Sequence, residues 1–294
     1  DLTGPLMEVM MAAINEQIRK LKEQKRAVIL AHNYQLPEVQ DAADFVGDSL
    51  GLSVQASQTD AEVIVFCGVH FMAETAKLLS PEKRVLLPDI NAGCPMADMI
   101  SGEQLRELKK EHPGAKVLCY VNTSAEVKAE SDLCCTSGNA EELVREAFDD
   151  DDEIIFVPDK YLADYVSDVT GRRFIIWNGF CPTHARILPG DIKREKIHHP
   201  GALVIAHPEC TAAVRAEADL VASTEKMCRF VKESDSRDFI VGTEIGIIHR
   251  LKKENPGKRF YPASEKAVCP NMKRITLEKV LWALEDMSTK VNVP

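Results

Sequence analysis

A chain of 294 residues, 45% hydrophobic and 28% charged, has the composition of a soluble globular protein with room for more than one core. No apolar run approaches the roughly 18 residues of a membrane span. A formal charge of −10 argues against nucleic acid or anionic membrane as the main partner, since those require basic surface, and leaves any anionic ligand to local donors.

In chain order, residues 8–24 carry the spacing of an amphipathic helix ending in Arg19-Lys20-Leu21-Lys22. Strands are predicted from Ala27 to Leu30 and near Ala43 to Val46, then a helix opening at Asp48-Ser49. A buried strand from Glu62 to Phe66, a helix from Phe71 to Leu79 and a strand from Arg84 to Leu87 complete a first series. The second series has a helix from Gly102 to Glu111, strands from Lys116 to Cys119 and Ser131 to Cys134, and a helix from Ser137. It ends with strands from Glu153 to Val157 and Phe174 to Trp177, and the acidic run Asp149 to Glu153 reads as a solvated loop. The third has a helix from Asp191 to Lys196 and strands from Leu203 to Ala206, Asp219 to Ala222, Phe239 to Val241 and Arg259 to Tyr261. A helix from Thr276 to Met287 follows, expected to pack near the amino-terminal helix. Alternating strands and helices predict α/β units with parallel sheets and helices on both faces.

The three series are copies. Of nine cysteines only Cys94, Cys181 and Cys269 precede proline, at gaps of 87 and 88 residues. The same registers superpose Asp44, Asp132 and Asp219, then Ser49, Ser137 and Thr224, and both Asp44 to Asp219 and Cys94 to Cys269 span 175 residues. Three repeats are therefore expected at 8–98, 99–186 and 187–275, with the helix 276–287 packing on the first. A pseudo-threefold triangle of three-layer αβα domains would bring their loops to one central site.

Ligands of open parallel sheets lie beyond the carboxyl ends of the strands. There stand His32, Asn33 and Tyr34, then Tyr120 and Asn122, then His207 and Glu209, each set after a first strand, with the three cysteines after last strands. An odd cysteine count and no recognisable leader point to a reducing cytoplasm, with thiols kept for metal or chemistry. The bland alternative makes all of them small buried hydrophobes. Matched register and a shared proline favour ligation for Cys94, Cys181 and Cys269, whereas Cys67, Cys119, Cys134 and Cys135 read as core filling and Cys210 stays open. Structural zinc prefers closed four-coordinate sites, often from Cys-x-x-Cys pairs, which are absent here. Three thiolates better suit an iron-sulfur cluster that lacks its usual fourth cysteine, leaving one iron open to act as a Lewis acid. Ser49, Ser137 and Thr224 read equally as helix caps and as anion-binding helix starts. Glu209, the lone carboxylate of its set, is the natural general base, with Tyr34 and Tyr120 as phenolic partners and His32 and His207 as donors or shuttles. His184 reads either as a neighbour of the cluster or as a surface residue.

The segments Ala31-His32-Asn33-Tyr34-Gln35, Ala43-Asp44-Phe45-Val46-Gly47-Asp48-Ser49, Phe71-Met72-Ala73-Glu74, Tyr120-Val121-Asn122, Cys181-Pro182-Thr183-His184, His207-Pro208-Glu209-Cys210, Gly242-Thr243-Glu244-Ile245-Gly246 and Asn271-Met272-Lys273 together resemble the quinolinate synthase family. The resemblance runs from about Ile29 to Leu284 and implies three α/β domains around a 4Fe-4S cluster held by three cysteines. It implies condensation of iminoaspartate with dihydroxyacetone phosphate to quinolinate, phosphate and water for NAD synthesis, with an aspartate-oxidising enzyme supplying iminoaspartate. By position it implies Cys94, Cys181 and Cys269 as cluster ligands, and Ser49, His32 and Tyr34 at the triose end. Asn122, Ser137, His207 and Thr224 would hold the diacid, and Tyr120 and Glu209 would assist proton transfer. The pattern departs at Glu225, where a small residue is expected beside the Thr224 anion site. The alternatives are an aconitase-like hydro-lyase and a non-catalytic iron-sulfur sensor.

Overall fold

The protein, as a computed structural model, is described over residues 3–293. It contains three four-stranded parallel sheets, each with its second strand outermost, then the first, third and fourth. The first sheet has β1 Ala27–His32, β2 Phe45–Gly47, β3 Val63–Cys67 and β4 Arg84–Leu86; the second has β5 Lys116–Tyr120, β6 Leu133–Cys135, β7 Ile154–Val157 and β8 Phe174–Ile176. The third has β9 Leu203–Ala206, β10 Leu220–Val221, β11 Asp238–Gly242 and β12 Arg259–Pro262. Unbroken apolar strands such as Val63–Cys67 are buried along their whole length, as a sheet covered by helices on both faces requires.

The repeat is visible in single atoms. Asp44, Asp132 and Asp219 each turn a carboxylate oxygen onto a backbone N–H fifteen residues earlier, at Ile29 (2.8 Å), Val117 (2.7 Å) and Val204 (2.7 Å). This clasp explains why the second strands begin one or two residues later than the hydrophobic pattern predicts: the aspartate side chain occupies the first strand's donor before the ladder begins.

The chain divides into two compact units, Asp1–Gly93 with Pro270–Pro294, and Cys94–Cys269. In the first, the helix Leu277–Asp286 packs on the helix Thr3–Lys25 and buries Leu277, Val280, Leu281, Ala283 and Leu284. Thr276 caps it, accepting from Lys279 N at 3.4 Å. The segment beyond returns to the sheet edge, where Leu87 N donates to Thr289 O (3.1 Å) and Val291 N to Val85 O (2.9 Å). In the second unit, each sheet has its own apolar core. One gathers Ile100, Leu105, Val117, Cys119 and Val157; the other gathers Ile187, Ile192, Val204, Val214 and Ile240.

Five helices were not predicted: Pro37–Ala42, Ala125–Ala129, Lys160–Thr170, Ala212–Arg215 and Ile247–Glu254. Three of these are four to six residues long, below the two turns at which an apolar period becomes visible. Cys134, expected in the core, is exposed on the outermost strand of its sheet, whereas Cys67, Cys119, Cys135 and Cys210 are buried.

Candidate active site

The strand order makes first and third strands neighbours, so the loops leaving β5 and β7, and those leaving β9 and β11, open side by side at the carboxyl edge. Tyr120, His207 and Glu209 emerge there with 4%, 4% and 3% of their surface exposed. Glu209 is the junction. Its Oε1 accepts from the Tyr120 hydroxyl at 2.6 Å and, more weakly, from Asn122 Nδ2 at 3.5 Å. Its Oε2 lies 2.7 Å from Nδ1 of His184. An ionised carboxylate only accepts, so His184 carries its proton on Nδ1, and Nε2 faces the Thr243 hydroxyl at 2.8 Å. His184 stacks on His207 with ring centroids 4.8 Å apart, and His207 Nε2 reaches Ser137 Oγ at 3.2 Å.

Burial alone would raise the Glu209 pKa. The imidazole of His184 and the hydrogen bonds from His184 and Tyr120 outweigh it and hold the carboxyl well below the usual range. Burial pushes His207 down to about 3 against the pull of Glu209, so at neutral pH His207 is uncharged and the bonds from His184 and Tyr120 keep Glu209 ionised.

Each cysteine opens a tight turn, and proline at the next position fixes the backbone there. Asp98 N donates to Cys94 O at 3.2 Å and Ala185 N to Cys181 O at 3.0 Å, leading into the short turns Ala97–Met99 and His184–Arg186; Met272–Arg274 follows Cys269. The three proline-linked cysteines are half-buried, unlike the five fully buried ones. Burial pushes the Cys94 thiol up to about 12, with Cys269 and Glu209 adding to the rise; Cys181 is pushed up by burial, then by Glu209, with Cys94 contributing. Cys94 therefore lies within electrostatic reach of Cys269, Cys181 and Glu209, and each thiol would give up its proton to a bound cation. Cys181, His184 and Glu209 present ligand atoms within 4.8 Å of one another, a group able to hold a metal ion. This mixed donor set of one sulfur, one nitrogen and one oxygen fits a transition-metal centre.

Residues 16–294 match the family described as quinolinate synthetase A protein. The chain belongs to that family. It is 58% identical over 281 residues to the quinolinate synthase of Dehalococcoides mccartyi strain CBDB1, covering 96% of this chain and 92% of the relative. The quinolinate synthase of Thermodesulfovibrio yellowstonii is 55% identical over 280 residues (95% and 92%), and that of Methanoregula boonei 53% over 283 residues (96% and 93%). As a member of the quinolinate synthetase A family, the chain is an enzyme of NAD biosynthesis.

In this quinolinate synthetase A chain, Tyr120, Asn122, Ser137, His207 and Glu209 come together with His184 in the second unit. His184 is 1% exposed, and its Nδ1 lies 3.2 Å from Cys181 Sγ, which removes the surface reading. In the first unit, His32 and Tyr34 pack edge to face with centroids 4.5 Å apart, and Lys273 Nζ donates to Tyr34 O. None of the three Ser/Thr residues is itself a cap: Asp48 caps the helix begun by Ser49, Ser223 the one begun by Thr224, and Ser137 precedes its helix by three residues. The loops of Ser137 and Thr224 abut, since a Cβ added at Gly138 would lie 3.3 Å from Ser223 Oγ. Glu225 is held by Arg250 through contacts of 2.8 and 3.1 Å, so its charge beside Thr224 is matched by a cation.

Asp159 and Arg215 escaped the sequence reading, and Thr243 and Glu244 entered it only within a family segment, with no role assigned. Asp159 and Glu244 are wholly buried just beyond β7 and β11, and the signal that finds them is register: each stands two residues past the end of its sheet's third strand. Burial and then the charge of Glu209 push Asp159 well above the usual carboxylate range.

Proposed function

We propose that this enzyme condenses iminoaspartate with dihydroxyacetone phosphate to form quinolinate, releasing phosphate and water. The observation that carries the reading is the Glu209 junction, where one buried carboxylate receives a phenol and an imidazole beside Cys181. Cys94, Cys181 and Cys269 would hold a 4Fe-4S cluster, which when bound supplies a Lewis-acidic iron at the corner that no cysteine occupies.

The protein's own groups supply the rest. Glu209, ionised from the outset, is the proton acceptor, and the Tyr120 hydroxyl at 2.6 Å relays protons between it and substrate. Neutral His207, fixed by stacking on His184, donates to or accepts from the diacid together with Asn122, Ser137 and Thr224. Ser49, His32 and Tyr34 hold the triose phosphate. Burial of the Glu209 set excludes water and strengthens each of these interactions. Repeats at 8–98, 99–186 and 187–275, a cytoplasmic setting and an aspartate-oxidising enzyme as the source of iminoaspartate complete the proposal.

The test is anaerobic purification, iron and sulfide analysis, and assay with the two substrates. Glu209→Gln should retain iron and lose quinolinate formation by about 100-fold or more; Cys181→Ser should lose the iron itself. Full activity in the Glu209 variant would remove the proton-acceptor assignment. A colourless wild-type protein holding one zinc would overturn the cluster.

A further inference from the structure

A single backbone link recurs in all three repeats. His70 N donates to Ala92 O at 2.8 Å, Lys160 N to Gly179 O at 2.9 Å and Ile245 N to Ala267 O at 3.0 Å. Each donor follows a third strand, and each acceptor stands two residues before one of the proline-linked cysteines. The residue preceding the donor is Val69 in the first repeat, Asp159 in the second and Glu244 in the third, and both carboxylates are 0% exposed. Glu244 uses its two oxygens separately. Oε2 accepts from Gly246 N at 2.7 Å within its own loop, and Oε1 accepts from the amide of Cys269 at 3.0 Å. Asp159 shares only half of this: its Oδ1 accepts from Leu162 N at 2.8 Å, while Oδ2 is buried without a hydrogen-bond partner.

We infer that Glu244 is a positioning residue that fixes the backbone of Cys269. The inference rests on the proposal that this cysteine ligates a metal centre. Burying a carboxylate is costly unless its oxygens are used, and a carboxylate grips an amide more strongly than a neutral carbonyl does. The bond from Glu244 holds Cys269 at its backbone. It also withdraws that amide from the sulfur, and hydrogen bonds to sulfur together with nearby charge set the potential of a sulfur-bound metal. Glu244 is therefore placed to govern both how firmly Cys269 holds its metal and the potential of the centre.

Two readouts test this, one without any metal. In iron-free protein, alkylation of individual cysteines followed by peptide mass spectrometry should show Cys269 reacting about fivefold faster in Glu244→Ala, with Cys94 unchanged. In reconstituted protein, the near-isosteric Glu244→Gln should lose iron to a chelator about tenfold faster than wild type. It should also shift the reduction potential upward, because a negative charge beside the centre has gone. An unchanged ratio of Cys269 to Cys94 alkylation in both Glu244 variants would overturn the inference, as would wild-type iron retention and potential in Glu244→Gln. If wild-type protein takes up no iron, the cluster proposal fails while the alkylation ratio still decides the positioning role.

Discussion

Arg215 touches none of the groups assigned to the chemistry, yet the position of Glu209 depends on it. Its buried guanidinium donates through Nη1 to Cys210 O (2.7 Å) and Tyr161 O (3.0 Å), and more distantly to Pro208 O (3.5 Å), tying the loop of His207 and Glu209 to the one after β7. Arg215→Ala strands these carbonyls and should cost about 3 kcal/mol in urea unfolding. Arg215→Lys, which keeps the charge but not the planar fork, should recover only part of it. A midpoint within error of wild type for the alanine variant would show the loop to be held by other means. The contrast between Glu209 and Arg215 marks what is legible at this scale. Glu209, Tyr120 and His207 could be read because they stand at matched positions just after first strands, where polar residues interrupt apolar runs. Arg215, Asp159 and Glu244 could not, because a charged residue in a sequence looks the same whether it is solvated or enclosed. The charge of Glu225, a departure in sequence, is explained only once Arg250 is seen opposite it.

At the scale of elements, the strands were legible and the short helices were not. Runs such as Val204 to Ala206 are apolar throughout and identify a covered parallel strand on composition alone. The helices Pro37–Ala42, Ala125–Ala129 and Ala212–Arg215 follow one another at the repeat offsets, and all three were missed for the same reason of length. The aspartate clasp makes a prediction here. Asp132→Ala removes a 2.7 Å charge-assisted bond to Val117 N and should lower stability by about 1 kcal/mol, read as a denaturant midpoint. Gly179 makes a sharper one. A Cβ there would lie 2.4 Å from Pro158 O, a backbone atom, so Gly179→Ala must push apart the loops after β7 and before Cys181. We expect a loss of about 1–3 kcal/mol together with impaired iron uptake; normal loading would show that the Cys181 loop tolerates displacement.

Over the whole molecule, the first unit is discontinuous in sequence: residues from both ends of the chain share one core, and Leu284 is fully buried in it. Leu284→Ala should cost about 2–5 kcal/mol. The two tryptophans report separately, Trp282 on the helix carrying Leu284 and Trp177 in the other unit, with its Nε1 bonded to Met99 O at 2.8 Å. Single-tryptophan variants should show the Trp282 transition moved by Leu284→Ala, and an unmoved Trp282 signal would contradict the packing described. Order of synthesis follows from the same arrangement. The strands β1–β4 leave the ribosome long before Leu277–Asp286, the helix that covers their flank, so the part made first is completed last. Cys94 and Cys269 are separated by 175 residues, about 10–35 s of elongation at ordinary rates. On the proposed cluster reading, Cys94 and then Cys181 wait through that interval for the third ligand, so assembly of the centre depends on translation speed as well as on folding.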